Sequence, residues 1–175
     1  DDCEVSASCN AVSLGSASFY YGRLTLADAY GPETAALPAQ LLTEYWDGTQ
    51  FLTNVYDSCS VIPRSAISFN GTPILTSNDL TVNLIGGNTS AQFDALTTSH
   101  VGFVSGDANL SFSAPGASIT TKSFIVNIDT STLDWFRSDW NQNNNDNDDA
   151  VLPTATMSFK TYRGHDRVLY WRHNN

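Results

Sequence analysis

The chain has 175 residues, 41% hydrophobic and 11% aromatic, enough for one packed domain with or without a tail. Eighteen acidic against eight basic residues give a net charge of −10, which repels nucleic acid and anionic lipid and suits divalent cations, neutral glycans or basic protein partners. No apolar run approaches the roughly 18 residues a helical membrane span needs, and no signal peptide is visible, which reads as a signal already removed or as an excised fragment.

Helix formers are scarce, and Ser, Thr, Asn and Gly are abundant, which favours strands and turns. Residues 1–15 are small and polar without a period and read as a linker or an added strand; their first residues look like a cut inside a longer protein. From Ser16 the pattern changes, and Tyr20, Gly22, Leu24 and Leu26 share one parity of a strand. Asp28 to Pro38 holds Gly31-Pro32 and Pro38 and reads as a loop. Leu41–Trp46 and Gln50–Thr53 flank Asp47-Gly48-Thr49, a strong hairpin signal that sets Trp46 near Phe51 across the pair.

Further strands are expected at Ala66–Phe69 and Leu80–Ile85, separated by Asn70-Gly71-Thr72-Pro73, the second ending at Gly86-Gly87-Asn88. Short alternating runs at His100–Val104 and Asn109–Phe112 surround Gly106-Asp107, and Ala114-Pro115-Gly116 is a turn. Ser123–Ile128 is a clear strand; Leu133–Phe136 reads as one helical turn or a bend. Thr154–Tyr162 alternates well, Arg163-Gly164-His165-Asp166 turns, and Val168–Trp171 is a last strand. The pattern predicts one all-β domain over 16–175, an antiparallel β-sandwich of about eight to ten strands, immunoglobulin-like or jelly-roll-like.

The three cysteines, Cys3, Cys9 and Cys59, form no CxxC, and the three histidines lie far from them, which argues against zinc. Low Cys and Lys with many Thr and Asn fit an extracellular or periplasmic protein. Cys9–Cys59 is the expected disulfide, pinning the start of the chain to its body, with Cys3–Cys59 as the alternative and the remaining thiol free or paired outside the domain.

The most polar stretch runs from Asp139 to Asp149, where every residue but Trp140 carries a carboxylate or a carboxamide. Such groups are not core material. They form either a solvated loop or a nest of oxygen ligands around a hard cation. Asp139, Asn141, Asn143 and Asn145 have the alternate spacing of a calcium loop, and Asp148 or Asp149 would close it. Asn144 stands at the sharp turn, Ala150 where a bidentate Glu would close an EF-hand, and so many neutral amides set affinity in the range of about 10⁻⁴–10⁻³ M. Trp140, at the border of this loop, and Trp135 are the candidate ligand-binding rings, since flat aromatic faces stack on sugars. Trp46 and Trp171 lie inside strands and are expected in the core. Only Glu4, Glu33 and Glu44 are glutamates, and no paired-carboxylate or nucleophile motif is visible, so the chain reads as non-catalytic.

Several blocks in fixed order resemble the C-terminal domain of MshQ-type proteins, large secreted components associated with mannose-sensitive haemagglutinin pili. They are Tyr21-Gly22-Arg23-Leu24-Thr25-Leu26 with Asp28-Ala29-Tyr30-Gly31, Tyr45-Trp46-Asp47-Gly48, and Asp57-Ser58-Cys59. Gly106-Asp107-Ala108-Asn109-Leu110, Ala114-Pro115-Gly116, Asp134-Trp135, Asp139-Trp140 and Tyr162–Arg172 follow. The resemblance covers residues 18–173. It implies a secreted or cell-surface protein of a bacterial pilus or outer surface, with a lectin-like domain often upstream, and hands over no catalytic mechanism. In that family the stretch matching Asp139–Asp149 commonly alternates Asp with Gly; here Asn141 and Asn143 replace Asp, and Gln142 and Asn144 replace Gly.

The sequence therefore predicts a non-catalytic domain serving adhesion or pilus biogenesis, with low-affinity calcium as its cofactor. Its expected partners are other domains of a larger surface protein, pilus components, glycans or further copies of itself. The alternatives are a self-assembling extracellular filament subunit that exchanges its N-terminal strand, and a carbohydrate-binding module of a larger enzyme.

Overall fold

A computed structural model describes residues 21–136 and 153–160. The early strands are β1 (Gly22–Leu26), β2 (Ala29–Gly31), β3 (Leu37–Pro38), β4 (Leu41–Trp46) and β5 (Phe51–Thr53). Next come β6 (Val61–Pro63), β7 (Ile67–Phe69), β8 (Thr72–Pro73), β9 (Thr81–Leu84) and β10 (Gly87–Gln92). The series ends with β11 (Ala95–Leu96), β12 (His100–Gly102), β13 (Ser111–Phe112), β14 (Ser123–Ile128) and β15 (Thr154–Phe159). Single 3-10 turns occupy Arg64–Ala66, Ser77–Leu80 and Asp134–Phe136. The segment 1–15 and the expected strand Val168–Trp171 lie outside the described residues.

The strands form four sheets, ordered β1-β4-β5, β3-β13-β10-β9, β11-β12-β6 and β2-β15-β14-β7-β8. Among the described strands every pairing is antiparallel except β15 with β2. The fold is all-β and sandwich-like. A shared aromatic core joins the two largest sheets. Phe112 on β13 meets Phe124 on β14 edge to face at 4.9 Å between centroids and Phe69 on β7 at 5.6 Å. Each such pair adds about 0.5–1.5 kcal/mol beyond burial. Leu24, Leu41, Ile62, Ile67, Ile128, Met157 and Phe159 are fully buried in the same core. β14 shows why it is a strand: Phe124, Val126 and Ile128 point inward, while Ser123 and Ile125 are exposed.

The fifteen described strands exceed the eight to ten expected, because several are two- or three-residue pieces that the sequence hides. The expected loop between Asp28 and Pro38 contains β2 and β3. β2 is held by parallel pairing to β15, and Asp28 Oδ1 accepts the Thr156 N–H at 2.7 Å just before it. Asn70-Gly71 is a two-residue hairpin loop between β7 and β8, with φ of 49° and 81°, as a type I′ turn requires. Gly87 and Asn88 do not end a strand. They begin β10, which returns along β9 with Leu84 opposite Gly87.

Candidate functional site

The sheet β1-β4-β5 has one face in the core and one toward solvent. Leu24, Leu41 and Thr43 point inward and are buried. The opposite parity carries Tyr21, Arg23 and Thr25 on the first strand and its lead-in, Glu44 and Trp46 on the second, and Phe51 and Thr53 on the third. The register sets Trp46 directly opposite Phe51 and Glu44 opposite both Arg23 and Thr53. The Trp46 N–H donates to the Tyr21 carbonyl at 2.8 Å, which extends the pairing by one step.

Three rings therefore lie in a row at one end of this outer face. Phe51 is 5.9 Å from Tyr21 and 5.1 Å from Trp46, tilted by 57° and 60°. Tyr21 is 53% exposed and Trp46 39%. The hairpin that sets Trp46 beside Phe51 is closed by Asp47, whose Oδ1 accepts the N–H and hydroxyl of Thr49 and the N–H of Gln50, at 2.7, 2.8 and 2.9 Å. Bonds from the backbone N–H groups of Gln50 and Thr49 hold the Asp47 carboxyl below its ordinary pKa.

Polar groups continue the row. The Arg23 guanidinium lies 3.8 Å from the centre of the Phe51 ring, and its Nε donates to Glu44 Oε2 at 2.6 Å. The Thr25 hydroxyl donates to the same carboxylate oxygen at 2.7 Å. The ion pair is part-buried, its side chains 28% and 14% exposed, and a cation–π contact contributes about 0.5–2 kcal/mol. Their larger effect is to fix the Arg23 and Glu44 side chains beside the rings. Flat apolar rings next to oriented donors and acceptors match the two faces of a sugar, whose C–H groups stack while its hydroxyls bond.

Trp46 thus corrects the expectation of a core position. Glu44 shares its parity, and a carboxylate in a strand marks the solvent side, so the signal was present in Leu41–Trp46 itself. Trp135 is 59% exposed in the turn Asp134–Phe136, anchored by its neighbour Phe136, which is buried 6.2 Å from Phe103. The Trp135 carbonyl packs beside Gly22, and Trp135 therefore sits at the same end of β1 as Tyr21.

The expected cation ligands Asp139, Asn141, Asn143, Asn145, Asp148 and Asp149 lie outside the described residues, as do Trp140, Cys3 and Cys9. Among the described residues no group of three or more His, Cys, Asp or Glu gathers as a metal site. Cys59 is an exposed thiol, its Sγ 3.8 Å from Asp57 Oδ1. Of the glutamates, Glu33 is buried, and Glu44 is engaged with Arg23 and Thr25.

Fold and face together define an all-β domain that presents an aromatic and polar sheet surface to solvent. Residues 20–174 match the family described as DUF6701, fourth domain, and the chain belongs to that family. No curated protein and no solved structure matches it.

Proposed function

We propose that this chain is a non-catalytic recognition domain of a secreted, pilus-associated surface protein of the MshQ type, holding neutral glycans on the outer face of β1-β4-β5. The observation that carries this reading is the row Tyr21, Phe51 and Trp46, in which Tyr21 and Trp46 are exposed on either side of a half-buried Phe51, beside the fixed pair Arg23 and Glu44. A core has no use for rings on that parity, since Leu24 and Leu41 already fill the buried side. The net charge of −10 favours uncharged saccharides over acidic ones. Trp135 and Trp140 are proposed as further ligand-binding rings, and Asp139–Asp149 to hold a low-affinity structural calcium ion. Other domains of the parent protein and pilus components are the proposed neighbours. A glycan array with the native chain and with Trp46→Ala tests the reading: binding lost in the variant supports it, and an array with no hit counts against it.

A second reading, a filament subunit that donates residues 1–15 as a strand to a neighbouring copy, draws on one observation. β9 ends its sheet with β10 as its one hydrogen-bonded neighbour among the described strands, leaving an edge for strand addition. A concentration-independent monomer by sizing removes this reading and leaves the first standing.

A further inference from the structure

A cleft of about 510 Å³ opens where three of the four sheets meet, away from the aromatic row. Tyr30 comes to it from β2 of the five-stranded sheet, Pro38 and Ser111 from β3 and β13 of the four-stranded sheet. Asp107 comes from the turn that bridges to Leu42 of β4. Asp28, Gln40 and Asn109 complete the polar lining. We propose that this cleft is a second binding site, for a single neutral pyranose ring.

The walls are fixed by the backbone. The Ala39 N–H donates to the Leu110 carbonyl at 2.8 Å, and the Ala108 N–H to the Leu41 carbonyl at 3.0 Å. The carboxylates are oriented as well. Asp107 Oδ1 accepts the Asn109 N–H at 2.7 Å, with Asn109 in the left-handed region at φ 50°. Asp28 is used on both oxygens, by the Thr156 N–H at 2.7 Å and the Tyr30 hydroxyl at 3.3 Å. Among the described residues the cleft brings two carboxylates, Asp28 and Asp107, short of the three or more acidic, imidazole or thiol groups that would gather as a metal site. Among the described residues no Lys or Arg lines the cleft to offer an anion a counter-charge.

What remains is the second oxygen of Asp107 with the carboxamides of Gln40 and Asn109, none of which has a hydrogen-bond partner among the described residues. They offer acceptors and donors side by side, as hydroxyl groups require. The half-exposed Tyr30 ring supplies the flat face. The volume lies within the range of about 300–1,000 Å³ usual for small-molecule sites.

Saturation-transfer NMR on the full chain tests this, with methyl β-D-galactopyranoside, methyl α-D-glucopyranoside and glucuronate each at about 10 mM, a concentration suited to a millimolar Kd. The expected result is transfer to at least one neutral glycoside and none to glucuronate. Trp46→Ala, which removes the aromatic face, should leave transfer present; in that background Tyr30→Ala should abolish it and Gln40→Ala, an exposed position, should weaken binding about tenfold. Absence of transfer to both neutral glycosides overturns the proposal. So does transfer that survives Tyr30→Ala and Gln40→Ala but disappears with Trp46→Ala, which places the sugar on the aromatic face instead.

Discussion

Trp46 and Phe51 stand directly opposite each other across β4 and β5, their rings meeting edge to face at 5.1 Å between centroids. Because the two lie on the solvent face, their interaction separates from core burial. A double-mutant cycle with Trp46→Ala and Phe51→Ala in urea is expected to give a coupling of about 0.5–1.5 kcal/mol. Additivity within about 0.3 kcal/mol would mean the rings do not hold each other.

Arg64 is 5% exposed, yet its hydrogen bonds go to main-chain carbonyls. Its Nη2 donates to Thr76 O at 2.7 Å, and Nη1 points to Thr98 O and Thr97 O at 3.4 and 3.5 Å. The side chain fastens the segments around 76 and 97–98 to the turn Arg64–Ala66. Arg64→Met keeps the bulk and strips the charged donors, leaving Thr76 O with the Asp79 N–H alone. A loss of about 2–3 kcal/mol is expected, read as a lower urea midpoint with an unchanged slope.

The start of the segment around Cys59 is tied down by one carboxylate. Asp57 Oδ1 accepts the N–H groups of Ser60 and Cys59 at 2.9 and 3.2 Å. Burial pushes the Asp57 carboxyl up, but bonds from Ser60 and Cys59 outweigh it, so its pKa falls below the ordinary 3.8. The unfolded chain therefore binds the proton first as pH falls. The Asp57 contribution is complete above about pH 5 and disappears as pH drops through 3.8 toward the folded value. Thermal melts from pH 7 to pH 2.5 should show a flat region and then a decline, and Asp57→Asn should make that decline shallower. An identical acid limb in both proteins would contradict the assignment.

The proposed calcium loop gives a direct stability signal. With a Kd of about 1 mM, 10 mM calcium adds about 1.4 kcal/mol. In a chain of 175 residues that is a rise in Tm of about 3–6 °C. Asp139→Ala should erase the rise. A melt that calcium does not move removes the cation from the proposed function.

Legibility in the sequence followed side-chain size and alternation. β14 and the β4–β5 hairpin were plain, because Phe124, Val126 and Ile128 alternate with small or polar residues and Asp47-Gly48 announces the turn. β10 was hidden: Gly87-Asn88-Thr89-Ser90-Ala91-Gln92 has no large apolar residue. It pairs inside its sheet through small side chains, the buried Thr89 hydroxyl donating to Ser113 O at 2.5 Å. The backbone of Ser118 packs against Gly86 in the preceding turn, where φ is +91° and a Cβ has no room. β2 was hidden because its strand character comes from β15, far along the chain. The aromatic face was half legible. The rings were visible, but their side of the sheet depended on reading Glu44 as the mark of solvent. The cleft was not legible, because Asp28 and Asp107 meet only through the joining of separate sheets.

The most direct test of glycan recognition by the β1-β4-β5 face is binding of a neutral oligosaccharide, chosen from the array, measured by titration calorimetry on the native chain, Trp46→Ala and Tyr21→Ala. Loss of about tenfold or more in both variants, with melting curves that show both folded, is the predicted result. Unchanged affinity in both would contradict it.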